Sequence, residues 1–280
     1  MANVLVSPDW IADHQEDTDF VVVDCRFSLA DLQLGHQQYL QGHIPGAYYL
    51  DLNQDLASPV RQHGGRHPLP DLSTLAGKLS RMGVTAQTLV VAYDDSRFAF
   101  ASRLWWLLKY MGHDRIAVLD GGFAAYQSAG FPITTELPTE REGLFAPQIR
   151  SELVVNLHDV IQRQQDPSAK IVDSREVARY QGKSEPIDPI AGHIPGAVNY
   201  PWQEVTDERG WMRSSEELQE YWSEVLNADE VVVYCGSGVT ACVNLLALEV
   251  AGLPTAKLYV GSWSDWCSYP LDEHWQVKID

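Results

Sequence analysis

The chain has 280 residues, of which 45% are hydrophobic and 21% charged, and its 20 Lys and Arg against 38 Asp and Glu give a net charge of −18. These values are typical of a globular protein, and the length suits two domains of about 140 residues each. The acidic balance argues against nucleic acid as a partner. No stretch approaches the ~18 apolar residues of a spanning helix, so we expect no membrane association. We find no secretory signal pattern and expect a cytoplasmic protein.

Short apolar runs alternate with helical patterns along the chain. Short runs with β-branched residues predict buried parallel strands, and the blocks that contain them lie in chain order at residues 21–26, 89–94, 118–123, 170–175, 230–235 and 258–263. Apolar residues at helical spacing predict helices over residues 100–111 and 239–251, and Ser215, followed by two glutamates, opens another. Strands joined by crossover helices give an α/β fold with a doubly wound, mostly parallel sheet flanked by helices.

The sequence repeats itself at an offset of 150 residues. Gly42-His43-Ile44-Pro45-Gly46-Ala47 recurs as residues 192–197, and the strand blocks around each copy follow in the same order. Two copies of one domain explain this order. We therefore predict a first domain over residues 1–135, a proline-containing linker over 136–152 and a second domain over 153–280.

Cys235 stands at the end of an apolar run and in front of a predicted helix. Open α/β sheets bind ligands at the carboxyl ends of their strands, and inward N–H groups at a helix amino terminus stabilise anions. We therefore expect Cys235 to be a nucleophilic thiolate. Its anion would lie in a loop formed by Gly236, Ser237, Gly238, Val239 and Thr240.

The other three cysteines lack such a setting. Cys25 and Cys242 are expected to pack in the interior, and Cys267 carries no signal. None of the four cysteines forms a C-x2-C pair, so we expect no metal site. Nucleophilic catalysis by a cysteine needs no organic cofactor, and we expect none.

These blocks, together with Arg103-Leu104-Trp105-Trp106 and residues 261–266, resemble the two-domain form of the rhodanese family of sulfurtransferases. The resemblance covers nearly the whole chain and implies two tandem rhodanese-like domains. It also implies a catalytically silent first domain, where Asp94 stands at the position of Cys235. The Cys235 loop is similar to that of 3-mercaptopyruvate sulfurtransferases.

The resemblance implies a small-molecule sulfur donor and a small acceptor. Sulfane sulfur would pass from 3-mercaptopyruvate through a Cys235 persulfide to a thiol, cyanide or thioredoxin, with release of pyruvate. Arg179 matches the family arginine that holds the donor's carboxylate. The family's second arginine has no counterpart in residues 181–190, where Lys183 is the cation. Ser237 and His67 match a serine–histidine pair that relays protons.

Three alternatives stay open. The first is thiosulfate as the preferred donor, and the second is a non-catalytic binding or regulatory module. The third is a cysteine phosphatase, which needs an arginine six residues after the cysteine, where this chain has Ala241. His43 and His193 occur in both copies, so we expect them to serve the fold.

Overall fold

The computed structural model describes residues 4–15, 17–253 and 255–270. The chain folds as two compact units. The first comprises Met1–Ser58, Leu69–Arg150 and Thr206–Met212, and the second comprises Pro59–Pro68, Ser151–Val205 and Arg213–Asp280. The short range Pro59–Pro68, which contains His67, therefore belongs to the second unit, although the ranges before and after it in the sequence belong to the first.

The first unit is built on a five-stranded parallel sheet with the strand order β1-β5-β4-β2-β3. Its strands are β1 (Leu5–Val6), β2 (Phe20–Asp24), β3 (Tyr48–Tyr49), β4 (Leu89–Tyr93) and β5 (Ile116–Leu119). Its helices are α1 (Pro8–His14), α2 (Leu34–Gln41), α3 (Leu72–Arg81), α4 (Ala101–Tyr110) and α5 (Gly122–Ser128).

The second unit repeats this architecture with the strand order β6-β10-β9-β7-β8, again all parallel. Its strands are β6 (Val154–Val155), β7 (Ala169–Asp173), β8 (Val198–Asn199), β9 (Glu230–Tyr234) and β10 (Lys257–Tyr259). Its helices are α6 (Leu157–Arg163), α7 (Val177–Tyr180), α8 (Ser215–Tyr221), α9 (Ala241–Val250) and α10 (Ser262–Trp266). Two 3-10 turns, Ser151–Leu153 and Trp202–Val205, complete the unit.

The two sheets share one register at the edge where chemistry is expected. Asp24 pairs with Tyr93 in the first unit, and Asp173 pairs with Tyr234 in the second. The residues that follow Tyr93 and Tyr234 therefore leave the sheet beside a strand-ending aspartate. The predicted fold class, two tandem units with parallel sheets flanked by helices, is confirmed.

The helices follow from their sequence patterns with small shifts at their ends. The pattern over residues 100–111 gives α4, and that over 239–251 gives α9, whose first eight residues are all buried. A helix that is apolar all round belongs in an interior. The cap of α8 is Ser214 rather than Ser215, because Ser214 Oγ accepts the Glu217 N–H while the Glu217 carboxylate accepts the Ser214 N–H.

The histidines of the repeated motif bond to main chain in the same way in both units. His43 Nδ1 lies 2.8 Å from the carbonyl oxygen of Tyr39, and His193 Nδ1 lies 2.8 Å from that of Tyr180. Each imidazole also stacks on the tyrosine ring, with centroids 4.1 Å and 3.8 Å apart. Such identical contacts in both units favour a role in folding.

Within the described ranges, no helix is both long and apolar enough to cross a membrane.

The buried pair of Asp24 and Arg26 gives a stability prediction for the first unit. Arg26→Leu leaves the Asp24 carboxylate buried without its cation, and we expect a loss of about 3–5 kcal/mol in unfolding free energy, measured by urea titration. Burial already raises the pKa of Asp24 against the effect of Arg26. Without Arg26 the folded state should favour protonated Asp24, so the loss should be smaller at pH 5 than at pH 8.

Arg209→Leu is the matched control. Arg209 pairs with Asp207 in the same unit, but its side chain is 80% exposed. Exposed pairs contribute little, so we expect a change within about 0.5 kcal/mol. Equal losses in the two variants would contradict a special role for the buried pair.

Candidate active site

Cys235 is the first residue after β9 and is 1% exposed. The N–H of Gly238 donates to its sulfur, with nitrogen and sulfur 3.2 Å apart. Val239 and Thr240 follow, and α9 begins at Ala241. The sulfur therefore lies in a turn between a strand and a helix amino terminus, where positive partial charges favour a bound anion.

Two glycines give this loop its shape. Gly238 has φ +76°, and a Cβ there would overlap the carbonyl oxygen of Val260. Gly236 faces two guanidinium groups, since a Cβ there would lie 3.0 Å from Arg66 Nη2 and 3.4 Å from Arg179 Nη1. The absence of side chains at these two positions lets main chain and arginines approach closely.

Two acidic side chains hold the arginines in place. Asp188 is bonded to both, through its Oδ1 to Arg66 Nη1 and through its Oδ2 to Arg179 Nη2 at 3.1 Å. Glu185 accepts from Arg179 Nη2 at 2.7 Å and from Arg179 Nε at 3.1 Å. These two cations and two carboxylates therefore form a network beside Gly236, which Arg175 extends by donating to Glu185 at 3.2 Å.

The two carboxyl groups of the network titrate differently. Burial raises the pKa of Asp188 in spite of its arginine partners. Burial acts in the same direction on Glu185, but the Arg179 hydrogen bond and the N–H of Asp188 lower the pKa of Glu185 below its usual value. The more firmly ionised of the two is thus Glu185.

His67 and Ser237 are brought together as the sequence predicts. His67 Nδ1 lies 2.8 Å from Ser237 Oγ, and each residue is 7% exposed. Ser237 stands between the two loop glycines. The pair therefore places a titratable imidazole one hydrogen bond away from a hydroxyl of the cysteine loop.

The sequence analysis proposed Lys183 as a second cation of the site and did not single out Arg66. Lys183 is exposed and donates to Gln181 Oε1 at 2.8 Å. Arg66, which no sequence pattern singled out, lies beside Arg179 at Gly236. The signal was its position next to His67, since a segment that supplies one site residue can supply a second.

The remaining cysteines are free and buried. Cys242 donates its S–H to the carbonyl oxygen of Gly238 at 3.5 Å, and Cys267 lies at the end of α10. Burial raises the pKa of the Cys25 thiol well above its usual value and that of Cys267 to about 12. In the part of the chain that the structure describes, no group of three or more His, Cys, Asp or Glu is arranged to hold a metal ion.

Two repeated parallel α/β units, of which one carries a cysteine loop at its strand ends, match a known domain type. The family model described as "Rhodanese-like domain" matches residues 7–129 and 156–269. The chain therefore belongs to the rhodanese-like family, and it is a sulfurtransferase.

Relatives and solved structures agree with this assignment over nearly the whole chain. A Pseudomonas aeruginosa protein named as a probable 3-mercaptopyruvate sulfurtransferase is 42% identical over 95% of both chains. A Mycobacterium tuberculosis protein, SseB, provisionally named a thiosulfate sulfurtransferase, is 37% identical over 89% of this chain and 88% of its own. The crystal structure of the 3-mercaptopyruvate sulfurtransferase SseA from Escherichia coli superposes with a TM-score of 0.80 at 33% identity, covering 94% of this chain and all of its own.

The site predicts selective alkylation. We expect iodoacetamide at pH 8 to label Cys235 in the native protein, because the N–H of Gly238 donates to its sulfur at the head of α9. With a pKa of about 12, only about one Cys267 thiol in ten thousand is ionised at pH 8, so Cys267 should stay unlabelled. Peptide mass spectrometry reads the labelled positions, with Cys235→Ser as the control. Label on Cys267 or Cys25 at a comparable rate would contradict the prediction.

Proposed function

We propose that the protein moves sulfane sulfur from 3-mercaptopyruvate to a thiol, cyanide or a dithiol protein such as thioredoxin, by way of a persulfide on Cys235. The observation that carries the proposal is the pair of guanidinium groups, Arg66 and Arg179, beside Gly236 in the cysteine loop. A sulfur donor that also carries a carboxylate fits this combination of nucleophile and anion-binding groups.

The first step is attack of the Cys235 thiolate on the sulfur of the donor. A sulfur–sulfur bond forms, the carbon–sulfur bond of mercaptopyruvate breaks, and its electron pair passes into the pyruvate enolate. The adjacent ketone makes this leaving group stable. Cys235 now carries the outer sulfur, and covalent catalysis of this kind gives ping-pong kinetics.

The enolate needs one proton to become pyruvate. Ser237 Oγ is a hydroxyl of the cysteine loop, and His67 can return a proton to it across their 2.8 Å contact. The proton comes in the end from solvent. This relay gives His67 and Ser237 a role that does not require either to touch the transferred sulfur.

The donor's carboxylate would be held by the arginines. Guanidinium groups bind carboxylates through two parallel hydrogen bonds, and this geometry fixes the donor's orientation as well as its charge. Lys183, an exposed residue four positions after Arg179, stays a further candidate for binding the carboxylate. Bound in this way, the donor presents its sulfur to Cys235.

In the second step an acceptor thiolate attacks the outer sulfur. The Cys235 thiolate leaves, and the N–H of Gly238 stabilises it as it does in the free enzyme. The loop amides of Gly236, Val239 and Thr240 belong to the same turn.

All four cysteines are free, which suits a reducing compartment, and we infer a cytoplasmic location on that ground.

Single-turnover persulfide formation tests the proposal. The reduced protein is mixed with mercaptopyruvate or with thiosulfate, and the mass of Cys235 peptides is followed with time. We expect a gain of one sulfur on Cys235, faster with mercaptopyruvate, and no gain in Cys235→Ser. Faster loading by thiosulfate would make that anion the donor. No loading by either would refute a persulfide on Cys235.

Variants of the three cations test how the donor is held. Arg66→Met and Arg179→Met each remove charge-assisted hydrogen bonds worth about 1.5–3 kcal/mol, so half-maximal loading should need roughly 10- to 100-fold more mercaptopyruvate. We expect a smaller effect for Lys183→Met, because Lys183 is exposed and bonded to Gln181. Loading rates over a range of donor concentrations measure this.

Arg209→Met, an exposed arginine of the first unit, controls for the loss of one positive charge from the acidic chain. It should leave loading unchanged. A larger effect of Lys183→Met than of Arg66→Met would assign the second carboxylate contact to Lys183.

A further inference from the structure

Ser262 has a backbone conformation that serine rarely adopts. Its φ is +55°, and among the residues that the structure describes only Arg97 and Phe98 share a positive φ without being glycine. Ser262 is also completely buried, at the start of α10. A side chain in this left-handed region is strained, and such strain persists where the side chain has a task.

The first unit has a glycine at the same place. Gly122 has φ +62°, and the residue after it, Phe123, donates its N–H to the carbonyl oxygen of Asp94. In the second unit Trp263 donates in the same way to Cys235. The fold therefore requires a left-handed residue here. Glycine meets that requirement without strain, whereas the unit with the cysteine uses serine.

The serine hydroxyl bonds to the backbone of Cys235 and to that of Tyr259. Ser262 Oγ donates to the carbonyl oxygen of Tyr259 at 2.9 Å and accepts the N–H of Cys235 at 3.1 Å. A hydrogen atom committed to Tyr259 leaves the oxygen lone pairs to face Cys235, so the orientation of the hydroxyl is fixed. A glycine offers no such acceptor.

The three consecutive residues Ser262, Trp263 and Ser264 hydrogen-bond to the backbone of Cys235 and of Gly236 after it. Ser262 binds the N–H of Cys235, Trp263 donates to the Cys235 carbonyl oxygen at 3.0 Å, and Ser264 donates to that of Gly236 at 2.9 Å. With both polar groups of Cys235 held, rotation of the side chain is the freedom that remains. That rotation decides whether the sulfur meets the Gly238 N–H.

In the first unit the side chain at the corresponding position, Asp94, is held by amides of its own loop. The Asp94 carboxylate accepts four backbone N–H groups, those of Ser96, Phe98, Phe100 and Ala101, at 2.8–3.1 Å. A side chain anchored by four amides is oriented by its own loop. A thiolate, a weaker and more diffuse acceptor, gains more from a backbone that is oriented for it.

We propose that Ser262 is a positioning residue for Cys235. Its hydroxyl, held in place by a strained left-handed backbone, fixes the Cys235 peptide so that the sulfur faces the Gly238 N–H before and after it carries the transferred sulfur. The inference rests on Cys235 being the nucleophile of the proposed function. It does not depend on which donor supplies the sulfur.

Three substitutions separate the hydroxyl from the backbone strain. Ser262→Gly removes both, Ser262→Ala removes the hydroxyl and keeps the strain, and Ser262→Thr keeps the hydroxyl and increases the strain. We expect the glycine variant to melt above the alanine variant, because it loses the same two hydrogen bonds but relieves the strain, and the threonine variant to melt below the wild type. The maximal rate of persulfide loading should fall about tenfold in Ser262→Gly and Ser262→Ala and stay near the wild-type rate in Ser262→Thr.

The donor concentration for half-maximal loading should stay unchanged, because Ser262 is placed to act on Cys235 and not on the donor's carboxylate. The measurements are single-turnover loading, at several concentrations of whichever donor is faster, and thermal melting of the full chain. Ser215→Ala is the matched control, since Ser215 Oγ donates to the Val250 carbonyl oxygen in the same unit. It should load at the wild-type rate.

Loading rates that follow the hydroxyl, regardless of melting temperature, support the proposal. Rates that follow melting temperature, or a folded Ser262→Gly that loads as fast as wild type, overturn it. If threonine does not fold in this buried place, glycine and alanine still decide, because both lack the hydroxyl and differ in strain. Cys235→Ser, measured alongside, separates this outcome from a failure of the nucleophile assignment.

Discussion

The buried ion pair of Asp173 and Arg175 at the end of β7 is the interaction on which the rest of the site depends. Arg175 Nη2 and Asp173 Oδ2 lie 2.6 Å apart with almost no exposure, an arrangement that is unfavourable unless the charges are fully bonded. Arg175 meets this condition by donating also to the carbonyl oxygen of Gly192 and to Glu185. Burial alone would lower the pKa of Arg175, but Asp173 raises it, so the cation persists. Because Glu185 in turn holds Arg179, the orientation of Arg179, which we propose binds the donor, depends on this buried charge.

The first unit has the same frame, with Asp94 after its central strand where the second unit has Cys235. Asp24 and Arg26 form an equivalent buried pair, and Arg26 donates to the carbonyl oxygen of Gly42, as Arg175 does to Gly192. Both copies of the repeated turn are thus tied to a strand end by an arginine. What differs is the loop after the central strand, where a carboxylate of the chain occupies the amides of one unit and a thiol stands in the other. In the first unit the Asp94 carboxylate thus occupies the N–H groups of Ser96, Phe98, Phe100 and Ala101 with an anion of the chain itself.

Much of the fold follows from local pattern, because buried parallel strands and buried helices leave long apolar runs. The positions of β4, β9, α4 and α9 could be predicted within two residues for this reason. Cys235, Ser237 and His67 could be proposed from motifs, but Arg66 could not, since its place depends on Pro59–Pro68 belonging to the second unit. The sign of φ at Ser262 is equally invisible in a single sequence. The sequence repeat aligns Gly122 with Ser262, but this alignment indicates a positive φ at Ser262 only once the left-handed turn at Gly122 is known.

The charge balance at Gly236 bears on how a donor would be selected in an acidic protein. Arg66 and Arg179 are matched by Asp188 and Glu185, so the network carries no large excess of positive charge. Under the proposed function this balance gives the network little net positive charge with which to attract a dianion before binding. A carboxylate gains from the planar geometry of two guanidinium groups, provided that it takes over the hydrogen bonds of Asp188. Under the proposed function, donor binding would exchange one carboxylate for another. Under that proposal Asp188 would be the displaced acid, since it bonds to both arginines and burial raises its pKa, whereas the pKa of Glu185 is lowered.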